Sequence, residues 1–122
     1  MNQPFHEQYI VHITPRSLWE QSQETGIYRG DTLDTQGFIH CSTVEQVLAV
    51  ANAVFLGQDD LVLLLIDTSR VLSPLQYEGD SSGLFPHIYG PLYVDAVVAV
   101  YDFPPDEHGR FQLPEQLRQP KP

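Results

Sequence analysis

Gly37-Phe38-Ile39-His40-Cys41-Ser42-Thr43 combines the signals of a turn, a strand and a helix start within seven residues. The glycine is typical of a turn, the apolar residues favour a short strand, and the two hydroxyl residues favour a helix N-terminus. Side chains alternate between the faces of a strand, so His40 and Ser42 share one face, with roughly 6–7 Å between their Cα atoms. Ser42 and Glu45 also match the Ser-x-x-Glu capping pattern. The segment therefore predicts a strand that leads directly into a helix.

Two further segments place a histidine among apolar residues. In Ile10-Val11-His12-Ile13-Thr14 the histidine again shares a strand face with a hydroxyl, and Thr14 before a proline predicts a helix N-cap. The third histidine lies in Leu84-Phe85-Pro86-His87-Ile88-Tyr89-Gly90-Pro91-Leu92. A single histidine among apolar residues is commonly a hydrogen-bonded core residue, and the hydroxyls also have an explanation as helix caps. Taken together, the three segments favour a shared pocket lined by His12, His40 and His87.

The composition is that of a globular protein with an acidic surface. Of the 122 residues, 42% are hydrophobic and 18% are charged, and the formal net charge is -10. Such a charge argues against stable binding to a nucleic-acid backbone. One cysteine excludes an internal disulfide, which fits a reducing compartment, and no segment is long and apolar enough to cross a membrane. We therefore expect a cytoplasmic protein that binds a small-molecule ligand.

The length indicates one domain. We expect that domain at residues 8–103, and we expect residues 1–7 and 104–122 to be extended or flexible tails. The five prolines of the second tail are the reason for that expectation.

The order of the predicted elements indicates the α+β fold class. Strands are predicted at 9–14, 61–66, 75–78 and 94–103, and helices at 16–24 and 44–55. The continuous apolar character of 61–66 indicates a central strand that is covered on both faces. Residues 27–36 are predicted to be a loop or a ragged strand. Residues 85–92 are predicted to be irregular, because Pro86 is unsuited to a central strand.

The histidines and the cysteine match three other chemistries in residue type, but their positions in the sequence favour these less. Cys41 cannot give its proton directly to His40, because neighbouring residues of a strand point to opposite faces. A metal site is not expected, because the three histidines include no short-range pair of ligands. The His-x-Thr and His-x-Ser units are similar in type to those of two-histidine phosphoesterases, which use one imidazole as base and one as acid. His12 and His40 lie closer in the chain than the duplicated lobes of that family require, so this activity is less favoured.

Several segments together resemble the DUF952 family of small, uncharacterised bacterial proteins. The resemblance runs from Tyr9 to Phe103, about four-fifths of the chain, and is most specific in Gly37-Phe38-Ile39-His40-Cys41-Ser42 and in Phe85-Pro86-His87-Ile88-Tyr89-Gly90-Pro91-Leu92. The other matching segments are Ile10-Val11-His12-Ile13-Thr14, Gly26-x-Tyr28, Gln46-Val47, Leu61-Val62-Leu63-Leu64 and Tyr77-Glu78. The resemblance implies an ADP-ribosyltransferase-like fold: split, mostly antiparallel small sheets with a cofactor cleft between them, and two main helices.

The resemblance also implies roles for individual residues, with NAD as substrate and no metal. The positions that correspond to catalytic groups are His12, His40, Glu78 and His87. The positions that correspond to cofactor-binding groups are Thr14, Ser42, Tyr28, Arg29 and Tyr89. Arg29 would offset the negative charge of the cofactor, and the tyrosines would stack on a planar ring. The chain departs from the transferase pattern in one respect, because it contains no Glu-x-Glu motif.

Two classes of function remain open at this point. In both, the pocket binds a nucleotide-like or small phosphorylated ligand. A carboxylate from Glu78 that reached the ribose would stabilise its positive charge during ADP-ribosyl transfer. Without such a contact, the protein would be a non-catalytic ligand-binding or partner-binding domain.

Overall fold

The computed structural model describes residues 8–81 and 83–118. Within these residues the chain forms eight strands and three α-helices. The strands are β1 (Tyr9–Pro15), β2 (Ile27–Tyr28), β3 (Ile39–His40), β4 (Leu61–Asp67), β5 (Leu75–Asp80), β6 (Gly83–Ile88), β7 (Leu92–Tyr93) and β8 (Val97–Asp102). The helices are α1 (Arg16–Thr25), α2 (Leu33–Gln36) and α3 (Val47–Val54), and short 3-10 turns occupy Thr68–Arg70, Val94–Ala96 and Glu115–Leu117. The predicted α+β class is confirmed.

The largest sheet has the order β1-β4-β8, with antiparallel pairing throughout. Leu61 to Ile66 are all buried, because β4 lies in the middle of the sheet and both of its faces pack against apolar side chains. Alternate residues of β4 contribute to two separate hydrophobic clusters, one on each side of the sheet. The prediction of a central strand at 61–66 is therefore confirmed.

A second sheet has the order β3-β6-β5, and β2 pairs with β7 in a separate two-stranded ribbon. The second sheet meets the first where the chain leaves β3. There, the Val11 N–H donates to the Ser42 carbonyl at 2.8 Å, and the Ser42 N–H donates to the Val11 carbonyl at 2.9 Å. This bridge fixes β1 beside the segment that follows β3.

Pro86 lies in the middle strand of the second sheet, so the prediction of an irregular segment at 85–92 is wrong for β6. The Pro86 carbonyl accepts the Cys41 N–H at 3.0 Å. In a strand, the nitrogen and the carbonyl of one residue point to the same side. The Pro86 nitrogen therefore also faces Cys41, directly after β3 ends at His40, and its missing N–H leaves the pairing of β6 with β5 intact.

The two longer helices lie close to their predicted positions, but their caps differ. Thr14 is not an N-cap, because β1 continues through Pro15 and α1 begins directly after it. The predicted Ser42–Glu45 capping box is also wrong, since the Ser42 backbone is engaged by β1. A reciprocal pair forms one residue later: the Thr43 N–H donates to Gln46 Oε1 at 2.9 Å, and the Gln46 N–H donates to Thr43 Oγ1 at 3.2 Å. Residues 44–46 form a turn, and α3 begins at Val47 rather than at residue 44.

Two regions that were predicted to lack regular structure are ordered. Within 27–36, only Ile27–Tyr28 forms a strand, and Leu33–Gln36 forms the short helix α2. Residues 104–118, predicted to be extended or flexible, form no strand or α-helix and pack back onto the domain. Phe111 and Leu117 are buried in the hydrophobic cluster that contains Phe103. Residues 1–7 and 119–122, the remaining parts of the predicted tails, lie outside the described residues.

None of the helices in the described part of the chain has the length and apolar character needed to cross a bilayer.

Candidate functional site

A cavity of about 490 Å³ opens at the junction between the two larger sheets. Its volume lies in the range of small-molecule binding sites. The sequence-predicted residues that line it are His12, Thr14, His40, Ser42 and His87. The other lining residues are Val11, Ile13, Pro15, Asp31, Thr32, Cys41, Val50, Val54, Phe55 and Phe85. The three histidines, far apart in the sequence, thus reach one cavity.

His12 forms hydrogen bonds at both ring nitrogens. Nδ1 lies 2.5 Å from the His40 carbonyl oxygen, and Nε2 lies 2.6 Å from the Tyr28 hydroxyl. A carbonyl oxygen only accepts, so the proton of the neutral ring is on Nδ1. Burial lowers the pKa of His12 from 6.5 to about 4, so the ring is neutral at pH 7. Neither nitrogen is left for a ligand.

Tyr28 and Thr14 complete a buried hydrogen-bonded chain. Tyr28 Oη lies 2.8 Å from Thr14 Oγ1. Because Nε2 of neutral His12 is an acceptor, the Tyr28 hydroxyl donates to it and the Thr14 hydroxyl donates to Tyr28 Oη. Burial raises the pKa of Tyr28. With 2% of its surface exposed, Tyr28 belongs to the core and is not among the residues that line the cavity, which differs from its predicted stacking role.

His40 and His87 are paired across β3 and β6. Their ring centroids are 5.3 Å apart, and their planes meet at 73°. His40 Nε2 donates to Gln36 Oε1 at 2.8 Å, and His87 Nδ1 donates to Glu78 Oε1 at 2.9 Å. In the described structure each ring therefore keeps one nitrogen without a hydrogen bond, Nδ1 of His40 and Nε2 of His87. Partial burial, and then the proximity of His87, lower the pKa of His40.

Phe38 contacts both of these imidazoles. Its ring stacks on His87 with a centroid distance of 4.2 Å and an angle of 19°, and it lies 4.7 Å from the His40 ring. The Tyr89 ring also approaches Phe38, with 5.2 Å between the two centroids. Phe38 was not among the predicted site residues. Strand alternation in 37–43 places it on the same face as His40, and that was the available signal.

Glu78 lies behind His87 and not in the cavity wall. Its Oε1 accepts the Tyr89 hydroxyl at 2.5 Å and the His87 Nδ1–H at 2.9 Å. These two hydrogen bonds, that of Tyr89 first, lower the pKa of Glu78, so it is a carboxylate at neutral pH. Neither Glu78 nor Tyr89 is among the residues that line the cavity. Both predicted site residues are therefore connected to the cavity through His87.

Arg29 does not reach the cavity. Its guanidinium donates to Asp34 at 2.5 Å, and both side chains are largely exposed. It lies instead beside a smaller surface hollow with Tyr28 and Gly30. No arginine or lysine of the described chain lines the histidine cavity, while the carboxylate-bearing Asp31 does. No arginine or lysine therefore supplies a fixed positive charge to the described cavity lining.

Part of the cavity lining is apolar. Val50, Val54 and Phe55 extend from the region of α3, and Phe85 comes from β6. Apolar residues recur at helical spacing up to Val54 and Phe55, a pattern typical of a buried face, yet Val54 is 70% exposed. Helical periodicity identifies an apolar face but does not distinguish one that fills a core from one that borders a cavity.

The cavity is not arranged as a metal site. Among residues 8–81 and 83–118, no group of three or more His, Cys, Asp or Glu side chains is placed to hold a metal ion. Cys41 lines the cavity but is buried, and burial raises the pKa of its thiol. A thiol held protonated is a weak nucleophile.

Comparisons with known proteins agree with the resemblance seen in the sequence. The family profile described as "Protein of unknown function (DUF952)" matches residues 13–100. The crystal structure of protein CC0527 from Caulobacter crescentus is similar over 89% of this chain and 97% of that chain, with 34% sequence identity and a TM-score of 0.81. The solution NMR structure of CC0527 is similar over 86% of this chain and 92% of that chain, with 36% identity and a TM-score of 0.74. The comparison with curated proteins gave no match. Because the profile covers well over half of the residues, the chain belongs to the DUF952 family.

Proposed function

We propose that the histidine cavity binds a nucleotide-like ligand and that its first candidate reaction is ADP-ribosyl transfer from NAD. One observation carries the binding proposal: His12, His40 and His87 reach a single cavity of about 490 Å³ together with Thr14 and Ser42. Pockets of this size with a few convergent polar groups and an otherwise apolar lining are typical small-molecule sites.

The apolar and the polar lining residues of the cavity suit the two parts of a nucleoside. Val50, Val54 and Phe85 offer an apolar surface for a planar ring. Among the polar groups, His40 Nδ1 and His87 Nε2 are available to hydroxyl or phosphate oxygens. Since no arginine or lysine of the described chain lines the cavity, a phosphate either stays at its mouth or is bound by a protonated imidazole.

ADP-ribosyl transfer, with an ADP-ribosyltransferase-like fold, is proposed on the family resemblance rather than on the geometry of Glu78. The two hydrogen bonds from His87 and Tyr89 hold that carboxylate away from the cavity. A direct contact with a ribose would require their release. The same observation favours the second candidate, a ligand-binding domain without turnover.

The pair of imidazoles supports a third, less favoured candidate, a two-histidine phosphoesterase. The pair that the geometry offers is His40 and His87, whose rings are 5.3 Å apart. It is not the His12 and His40 pair of the sequence motif, because both nitrogens of His12 are already hydrogen-bonded. One neutral and one protonated imidazole could serve as base and acid.

The test is incubation with NAD and measurement of nicotinamide release, with NAD binding measured by calorimetry on the same samples. We expect His40→Gln and His87→Gln to weaken NAD binding at least about tenfold, which corresponds to the loss of one charge-assisted or buried hydrogen bond. His108→Gln is the matched control, because His108 is exposed and does not line the cavity. Arg29→Gln should change binding by no more than about twofold, because its ion pair is at the surface.

The outcomes separate the candidates. Nicotinamide release by the unaltered protein that is lost in both His40→Gln and His87→Gln supports ADP-ribosyl transfer. NAD binding without nicotinamide release supports a ligand-binding domain. Cleavage of a 2′,3′-cyclic nucleotide in place of NAD supports the phosphoesterase. Binding that His40→Gln and His87→Gln leave unchanged would contradict the assignment of the cavity as the ligand site.

A further inference from the structure

We propose that Glu78 is a positioning residue that acts through His87. It holds the imidazole with its proton on Nδ1, so that Nε2 takes the proton of the molecule to which ADP-ribose is transferred. The identity of that reaction rests on the proposed function. The placement of the proton rests on contacts within this chain.

Three contacts fix the His87 ring. Glu78 Oε1 accepts its Nδ1–H at 2.9 Å, Phe38 covers one face at a centroid distance of 4.2 Å, and the His40 ring approaches at 5.3 Å. The side chain of His87 is 15% exposed, and the residue lines the cavity although Glu78 does not. With Nδ1 turned toward Glu78, the nitrogen left for a bound molecule is Nε2.

Tyr89 supports the position of Glu78. Its hydroxyl donates to the same Oε1 that accepts from His87, at 2.5 Å. The Glu78 side chain is 43% exposed, so this second donor restricts a carboxylate that would otherwise sample other rotamers. An ionised carboxylate on Nδ1 also favours the imidazolium that forms when Nε2 takes a proton. The carboxylate and the imidazole thus form an orienter and base pair.

In ADP-ribosyl transfer the proposed step is balanced without a further reactant. The acceptor is an alcohol or water, and its O–H proton moves to His87 Nε2 while its oxygen forms a bond to C1′ of the ribose. The bond from C1′ to the nicotinamide nitrogen breaks, and its electron pair stays on that nitrogen, so nicotinamide leaves uncharged. The proton held on His87, paired with Glu78, then passes to solvent.

The test that does not depend on turnover is the tautomer of His87, read from the ¹⁵N shifts of its imidazole in the full chain at about pH 8, where neutral rings dominate. We expect the Nδ1–H tautomer in the unaltered protein. Glu78→Gln should keep this tautomer, because an amide oxygen still accepts the hydrogen bond from His87 Nδ1–H. Glu78→Ala should shift the ring toward the Nε2–H tautomer. Glu24→Gln, at an exposed position of α1, is the matched control. His87 as the Nε2–H tautomer in the unaltered protein would overturn the proposal.

Kinetics add a second readout if NAD is turned over. Glu78→Gln should lower kcat and leave KM for NAD within about twofold, because Glu78 does not touch the ligand. His87→Gln should lower kcat by about 10² or more, the usual contribution of a general base. A rise in KM without a fall in kcat for Glu78→Gln would assign Glu78 to direct NAD binding and contradict its positioning role. Absence of turnover would count against the proposed function, and the tautomer would still decide the role of Glu78.

Discussion

His40 and His87 face each other across neighbouring strands, with ring centroids 5.3 Å apart and planes at 73°. Each ring is oriented by a different side chain, Gln36 for His40 and Glu78 for His87. The two partners differ in charge, since Glu78 is a carboxylate and Gln36 is a neutral amide. A carboxylate stabilises an imidazolium, whereas an amide does not. The pKa of His40 is held below its ordinary value by partial burial and then by the nearby His87.

The first prediction concerns the pH dependence of anion binding. His40 is neutral at pH 7.5, because partial burial lowers its pKa from 6.5. At about pH 5.5 more of it is protonated, and a bound pyrophosphate favours that form. ADP-ribose, whose pyrophosphate charge is constant over this range, should bind more tightly at the lower pH by roughly 3- to 10-fold. Adenosine is the uncharged control, and an equal pH effect on both ligands in calorimetry would contradict the explanation.

The second prediction concerns stability and the burial of His12. Its pKa is about 4 in the folded chain, against 6.5 for an ordinary exposed imidazole, so between these pH values the unfolded chain binds more protons. The free energy of unfolding should therefore fall as pH decreases through this window, by about 3 kcal/mol at 1.36 kcal/mol per unit.

Urea unfolding at several pH values between 7.5 and 4 measures this effect. His12→Gln should lose the histidine-dependent part of the pH slope, although it is less stable at pH 7.5. His108→Gln, an exposed histidine, should keep the slope of the unaltered protein. If His12→Gln kept the pH slope of the unaltered protein, a group other than His12 would cause the pH dependence of stability.

The third prediction concerns the buried Tyr28 hydroxyl. Tyr28→Phe leaves His12 Nε2 and the Thr14 hydroxyl without their shared partner. The expected loss in the free energy of unfolding is about 1–3 kcal/mol, the cost of unpaired buried polar groups. Tyr93→Phe removes a hydroxyl from an exposed tyrosine and should change stability by less than about 0.5 kcal/mol. Equal urea midpoints for the two variants would show that the hydrogen bonds of the Tyr28 hydroxyl contribute nothing to stability.

The fourth prediction concerns the hairpin that carries Glu78 and His87. A Cβ added at Gly79 would lie 1.9 Å from the Gly83 carbonyl oxygen, so the two strands would have to separate. Gly79→Ala should therefore lower the free energy of unfolding by about 1–3 kcal/mol or more. Ser81→Ala, at an exposed position in the same turn, is the control. A thermal midpoint for Gly79→Ala equal to that of the control would contradict the close approach.

Local sequence patterns were sufficient to predict the central strand and the first helix. The apolar segment 61–66 identified the central strand. Helix α1 begins at Arg16, the predicted residue. The last strand is shorter than predicted, because Val94–Ala96 forms a 3-10 turn before β8 begins at Val97. Propensity alone does not separate these two states in a β-branched segment.

The arrangement of the site depended on contacts that no local pattern encodes. His40 meets His87 only because β3 pairs with β6, and β3 is just two residues long. Pro86 argued against that strand, and it is tolerated because its nitrogen faces Cys41 just beyond β3, so that the pairing of β6 with β5 is kept. Tyr28 and Arg29 were predicted at the ligand, since a sequence does not reveal that one is hydrogen-bonded in the core and the other ion-paired at the surface.

The central claim is that one ligand reaches His40 and His87 in the cavity, and histidine imidazole NMR during a titration with NAD tests it most directly. We predict that the side-chain signals of His40 and His87 shift together with a single dissociation constant, while those of exposed His108 stay in place. Signals of His40 and His87 that do not move at saturating NAD, ADP-ribose and 2′,3′-cyclic nucleotide would contradict the account.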